Sequence, residues 1–161
     1  MVESIASRYG PSPRKGEDAS MFVLDTDHMT LVEWGSGSDA QRLRTRLGEL
    51  DPREVATTII SYEEQCRGWL KYIKKAKNVS QMIDAYAKLN KHLDDYRRSR
   101  VLGFDDGSAV AYQDLEKLKL KIGSMDLKIA AIALSQNATL LSRNLKDFRQ
   151  VSGLRVENWT V

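Results

Sequence analysis

Met21-Phe22-Val23-Leu24-Asp25-Thr26-Asp27 decides the fold of this chain. Four apolar residues in a row read as a strand buried on both faces, the pattern of a parallel sheet. The run stops at a carboxylate, and a second carboxylate follows two residues on. A parallel strand that ends in acids delivers them to the carboxyl edge of its sheet, where open α/β sheets place their ligands.

Working outward, the spacing predicts a helix from His28 to Trp34, stopped by Gly35-Ser36-Gly37-Ser38. A second helix runs over 39–49, capped by Ser38 or Asp39, with Leu43, Leu47 and Leu50 on one face. Val55-Ala56-Thr57-Thr58-Ile59-Ile60 is β-branched and short, a second strand. Ser61 opens a long helix to about Lys77, with a Ser-x-x-Glu capping box to Glu64. Ser80 caps its neighbour, and Met82, Ile83, Tyr86, Leu89 and Leu93 share one face. Val101–Phe104 is a short third strand, and Asp105 or Asp106 caps a helix to about Ile122. After Gly123-Ser124, Met125–Leu134 is apolar nearly all round and reads as a buried helix. Ala138–Ser142 is the fourth strand and Arg155–Trp159 a fifth, at an edge. Strands alternating with helices predict an α/β fold: a mostly parallel five-stranded sheet flanked by helices on both faces. Residues 1–20, broken by Pro11, Pro13 and Gly16, read as a mobile N-terminal extension to a single domain over 21–161.

The chain has 161 residues, 42% of them apolar and 29% charged, enough for one domain with a core. No segment approaches the roughly 20 apolar residues of a membrane span, so no membrane partner is expected. Cys66 is the only cysteine, which excludes an internal disulfide, suits a packing role and fits a reducing cytoplasm. The net charge of +3 is unevenly spread. Residues 61–100 hold ten Lys/Arg against five acids, including Arg67, Lys71 and Lys74, and leave the remainder net acidic. Such segregation points to a polyanionic partner, or to a solvated helical face.

The candidate chemistry lies in carboxylates. Asp25 ends the first strand, Glu64 sits in the helix after the second, Asp126 opens the buried helix and Asp147 follows the fourth strand. In a parallel sheet these positions share one edge. Acids gathered there raise one another's pKa, and a hard divalent cation with oxygen ligands, Mg²⁺ or Mn²⁺, removes the conflict. Each acid also has a plain role, because a carboxylate in a helix's first turn stabilises it by roughly 0.3–1 kcal/mol. Asp27, Glu63, Asp105 and Asp106 are further options, the last two as helix caps. His28 and His92 lie far apart in sequence with no cysteine cluster, which argues against zinc. The chain has no G-x-S-x-G elbow, P-loop or G-x-G-x-x-G.

Five pieces occur in a fixed order: Val23-Leu24-Asp25-Thr26-Asp27, Thr58 to Gly68, Ile122 to Ala131, Thr139 to Phe148, and Val156-Glu157-Asn158-Trp159. Together they resemble the PIN-domain ribonucleases, most closely the VapC-type toxins of bacterial toxin–antitoxin pairs. The resemblance implies a PIN-like domain and carries the family's acidic quartet onto Asp25, Glu64, Asp126 and Asp147. Glu64 is preferred to Glu63 because the family's glutamate stands four residues before a glycine, here Gly68. Asp25, Asp126 and Asp147 would hold Mg²⁺ or Mn²⁺, with Asp27, Ser142 and Asn144 close by. The family usually has Asn at Asp27 and more often Thr at Ser142. The implied activity is metal-dependent cleavage of RNA, with Arg67, Lys71 and Lys74 on the RNA backbone. A homodimer and a cognate antitoxin are also implied. A nucleic-acid-binding module without catalysis and a receiver-like phosphoryl-transfer domain are the alternatives.

Overall fold

The computed structural model describes residues 20–161, so the expected extension falls outside the described residues except for Ser20. Five strands form one sheet in the order β3-β2-β1-β4-β5, every neighbouring pair parallel. They are β1 (Phe22–Leu24), β2 (Val55–Thr58), β3 (Val101–Leu102), β4 (Thr139–Leu141) and β5 (Arg155–Glu157). Seven α-helices accompany them among the described residues: α1 (Thr26–Trp34), α2 (Gly37–Gly48), α3 (Ile59–Lys74), α4 (Val79–Arg97), α5 (Asp106–Lys117), α6 (Ser124–Ser135) and α7 (Leu145–Phe148). No helix is long and apolar enough to cross a membrane among the described residues.

The side-chain alternation of the strands divides the core in two. Val23 and Leu140 point to one face, where they meet Ala111, Leu115 and the buried residues of α6. Leu24 and Leu141 point to the other, against Met29, Leu43, Tyr96 and Trp159. Both faces are covered, which is why the strands are apolar without a break. Residues 129–134 of α6 are buried all round, as their composition predicts.

β1 occupies the centre. From it the chain steps to β2 and β3 on one side, then crosses to β4 and β5 on the other. The β1/β4 junction is therefore the topological switch point, and its carboxyl edge is the preferred ligand crevice of such a sheet.

Several boundaries differ from expectation, each for a local reason. β2 stops at Thr58, whose hydroxyl accepts from the Ser61 amide at 3.1 Å and caps α3. The helix thus starts at Ile59, and the Ser61–Glu64 capping box does not form. Asn78, not Ser80, caps α4, by accepting from the Gln81 amide at 2.9 Å. α2 starts at Gly37, earlier than either proposed cap allows, and α5 ends at Lys117 instead of reaching Ile122. Asp105 caps α5 as expected. Gly35 is required by packing: a Cβ there would lie 2.5 Å from the Leu31 carbonyl oxygen and 2.9 Å from Ala40 Cβ. α3 and α4 run antiparallel, tied by Tyr72 to Asp84 at 2.8 Å and by Cys66 to His92 at 3.5 Å.

Candidate active site

The four expected acids lie at one edge of the sheet. Asp25 follows β1 directly, and its amide bonds the Leu141 carbonyl at 2.9 Å, which locks it to the switch point. Its side chain caps α1: Oδ1 accepts from the Thr26 amide at 2.6 Å. Oδ2 accepts from the Ser142 hydroxyl at 2.7 Å. Asp25 is only 5% exposed. Burial pushes its carboxyl up to about 7, against the Ser142 and Thr26 bonds, with Asp27 and Asp126 adding to the rise.

Glu64 projects from the second turn of α3. Thr26 donates its hydroxyl to Glu64 Oε1 at 2.7 Å, and Ser61 Oγ lies 3.1 Å from the same hydroxyl. Without a capping box, the Glu64 carboxylate faces the edge instead of its own helix terminus. Glu63 turns outward and pairs with Arg67 at 2.8 Å, so the structure separates the two adjacent glutamates.

Asp126 lies in the first turn of α6, and Asp147 in α7 after β4. Asn144 stands between them, its amide donating to Asp126 Oδ2 at 3.1 Å and to Asp147 Oδ2 at 3.0 Å. Burial raises the Asp126 carboxyl above its ordinary value. The charges of Glu64, Asp147 and Asp27 raise it further, against the Asn144 bond. Ser142 and Asn144 are themselves joined, the Asn144 amide donating to Ser142 Oγ at 3.0 Å.

Asp27 occupies the rim. Its Oδ1 accepts from His28 Nδ1 at 2.7 Å and its Oδ2 from the Arg143 amide at 3.0 Å. Both oxygens are thus committed. Arg67 lies on α3 three residues past Glu64, with Lys71 and Lys74 in the last turns of the helix.

As they stand, no three His, Cys, Asp or Glu side chains have ion-holding geometry among the described residues. The chemistry of the donors nevertheless fits a hard cation. They are all oxygens, burial and neighbouring charge raise the Asp25 and Asp126 carboxyls, and neutral Ser, Thr and Asn groups hold them in place.

Sequence reasoning missed Thr26, His28 and Arg143. Thr26 reads as an ordinary first-turn residue, and its contact with Glu64 spans 38 positions. His28 is fully buried, and nothing in its neighbours signals the contacts it makes. An apolar cavity of about 450 Å³ lies apart from the acids, floored by Met29, Val32 and Leu47 and rimmed by Arg44, Arg98 and Arg100.

Residues 23–154 match the PIN domain family, most of the chain. The chain belongs to this family. Ribonuclease VapC1 of Haemophilus influenzae is 28% identical over 141 residues, 87% of this chain and 98% of that protein. A shorter stretch is 46% identical to Ribonuclease VapC2 of Rickettsia felis over 46 residues, 29% of this chain and 34% of that protein. Among solved structures, VapBC2 from Rickettsia felis, bound to a DNA fragment from its promoter, superimposes with a TM-score of 0.64 at 25% identity. It covers 86% of this chain and 98% of its own. The PIN-domain resemblance read from the five motifs is thereby established.

Proposed function

We propose that this PIN domain is a divalent-metal-dependent endoribonuclease, the toxin of a toxin–antitoxin pair, which hydrolyses RNA phosphodiester bonds. One observation carries the reading: at the carboxyl edge of the sheet Glu64 and Asp147 lie close enough to Asp126 to raise its carboxyl, and Asp126 close enough to Asp25 to raise that one. The kinship with the VapC ribonucleases supports it.

Asp25, Asp126 and Asp147 would hold the cation, Mg²⁺ or Mn²⁺. When bound, such an ion activates water and stabilises charge on the phosphate. Ser142 fixes the orientation of Asp25, and Asn144 spaces Asp126 from Asp147. Thr26 secures Glu64 through Oε1, which leaves Oε2 to take a proton from the attacking water. Arg67, Lys71 and Lys74 stand three, seven and ten residues after Glu64. Arg67 is turned outward to Glu63, and with the exposed Lys71 and Lys74 it forms a basic track leading about 15 Å along α3. They hold the RNA backbone without reading bases.

The antitoxin belongs to the same reading. The apolar cavity beneath α1 and α2, with arginines at its rim, suits an apolar segment that also carries acids. A second copy is the other protein partner, and an RNA substrate puts the protein in the cytoplasm.

The test is direct. Purified protein with Mn²⁺ should cleave RNA, and Asp126→Asn should lose at least a hundredfold in rate. Binding without cleavage in any divalent metal, or full activity in Asp126→Asn, overturns the reading.

A further inference from the structure

Asp27 anchors an arrangement that cation holding leaves unused. His28 is fully buried, and its Nε2 accepts from the Trp159 amide at 3.3 Å. A backbone amide can only donate, so in the neutral ring the proton sits on Nδ1. That proton is given to Asp27 Oδ1 at 2.7 Å. A directed line of hydrogen bonds therefore runs from Trp159 through His28 to Asp27. Asp27 is its terminus, and its other oxygen, Oδ2, accepts from the Arg143 amide at 3.0 Å.

The Arg143 side chain follows its backbone. Nε lies 3.7 Å from Asp27 Oδ2, and the side chain is 47% exposed. A guanidinium has two donor edges. With Nε turned toward Asp27, the two terminal nitrogens are left for another acceptor. Arg143 also sits between Ser142 and Asn144, the residues that touch Asp25, Asp126 and Asp147. An edge this acidic repels a polyanion, so a substrate phosphate needs a cationic contact near it. A planar guanidinium meets phosphate oxygens two at a time.

We propose that Arg143 grips a phosphate of the RNA substrate at the rim of the acidic cluster, and that Asp27, held by His28, is the positioning residue that aims it. The role of the phosphate as substrate rests on the nuclease reading above. The plain alternative is an ion pair that only closes the loop after β4. It predicts no effect on RNA binding.

Binding separates the two. The full chain is titrated with a labelled single-stranded RNA oligonucleotide in EDTA, where no cleavage occurs, across a series of salt concentrations. Arg143→Gln should weaken binding about tenfold and lower the salt slope by about 0.7, the loss of one phosphate contact on a single strand. Arg143→Lys should keep the slope and recover only part of the affinity. Asp27→Asn removes a negative charge, so electrostatics alone would tighten binding. An aiming role predicts about threefold weaker binding, with no further loss when it is combined with Arg143→Gln. With Mn²⁺, Arg143→Gln should raise KM more than it lowers kcat.

Wild-type affinity and slope in Arg143→Gln overturn the grip. Tighter binding by Asp27→Asn, with the Arg143→Gln effect undiminished, overturns the aiming. The two readings fail separately. If the wild type binds RNA but never cuts it, and Arg143→Gln still lowers the slope, the nuclease reading falls and the grip stands. If the wild type cuts and Arg143→Gln changes nothing, the reverse holds. A wild type that neither binds nor cuts RNA ends both.

Discussion

Ser142 donates its hydroxyl to Asp25 Oδ2 at 2.7 Å, joining the ends of the two strands that meet at the switch point. Both side chains are buried. Ser142→Ala would leave that carboxylate oxygen without its donor, and the Asn144 amide without its acceptor. The expected cost is about 2 kcal/mol of stability, the range for a hydrogen bond to a charged group. Mn²⁺ binding should weaken several-fold as Asp25 loses its orientation, and Ser142→Thr should restore it by keeping the hydroxyl. Melting curves with and without Mn²⁺ check both effects. An Ala variant that melts and binds Mn²⁺ as the wild type does would show that the contact is idle.

Asp126 illustrates a tension between stability and function. Burial and three neighbouring acids disfavour its ionised form. Asp126→Asn removes that burden, and the new amide oxygen can still accept from Asn144. The metal-free variant should therefore be more stable than the wild type, by about 1 kcal/mol, while losing cleavage. Added Mn²⁺ should stabilise the wild type and not the variant. Denaturant titrations in EDTA and in Mn²⁺ give the comparison. A variant less stable than wild type in EDTA would mean that the acids are not in conflict.

How much of this was legible in the sequence depends on the range of the interaction. The Asp25 edge followed from an apolar run ending in an acid, because burial and strand direction are local properties. The buried helix at 125–134 followed from composition alone. The Ser61 cap was misread because Thr58 and Ser61 are both good caps, and the choice depends on where β2 stops pairing. That stop is set partly by β3, more than forty residues away. The separation of Glu63 from Glu64 needed the family spacing, since adjacent residues are equivalent to any pattern. Thr26, His28 and Arg143 were invisible for a stricter reason. Their partners Glu64, Trp159 and Asp27 lie 38, 131 and 116 positions away, and only the folded sheet brings them together.

Glu33, in the last turn of α1, and His92 form a buried pair. Glu33 Oε2 lies 3.6 Å from His92 Nδ1, the two side chains are 2% and 1% exposed, and Glu33 Oε1 and His92 Nδ1 have no hydrogen-bond partner among the described residues. Burial pushes the Glu33 carboxyl up to about 7, with Asp95 adding and Lys91 opposing. Its place at the C-terminal turn of α1 disfavours a negative charge as well. Between its ordinary 4.5 and about 7 the folded chain holds a proton that the unfolded chain has lost, so Glu33 lowers stability as pH rises through that window. Burial shifts His92 downward, so it acts in the opposite sense and lowers stability as pH falls below 6.5. Glu33→Gln should match the wild type near pH 4 and exceed it by about 2 kcal/mol above pH 7. Its amide can also donate to His92 Nδ1. Urea titrations across that range test the expectation, and a difference independent of pH would sink it.

α4 carries an apolar seam that stands exposed among the described residues. Val79, Met82 and Tyr86 recur at the a and d positions of a heptad, with Ile83 alongside, and all four are exposed. Of the next positions of the repeat, Leu89 is half-buried, Leu93 is exposed and Tyr96 turns into the protein, so the seam thins along the second half of the helix. A seam of that spacing fits another helix, and in the homodimer proposed above the matching surface is α4 of the second copy, related by a two-fold axis. Ile83→Asp would put a charge into the middle of that contact without touching the core of either copy. The wild type should sediment as a dimer at micromolar concentration and the variant as a monomer, with the same melting transition once both are dilute. A monomeric wild type would remove the homodimer, and a dimeric Ile83→Asp would move its interface to another face.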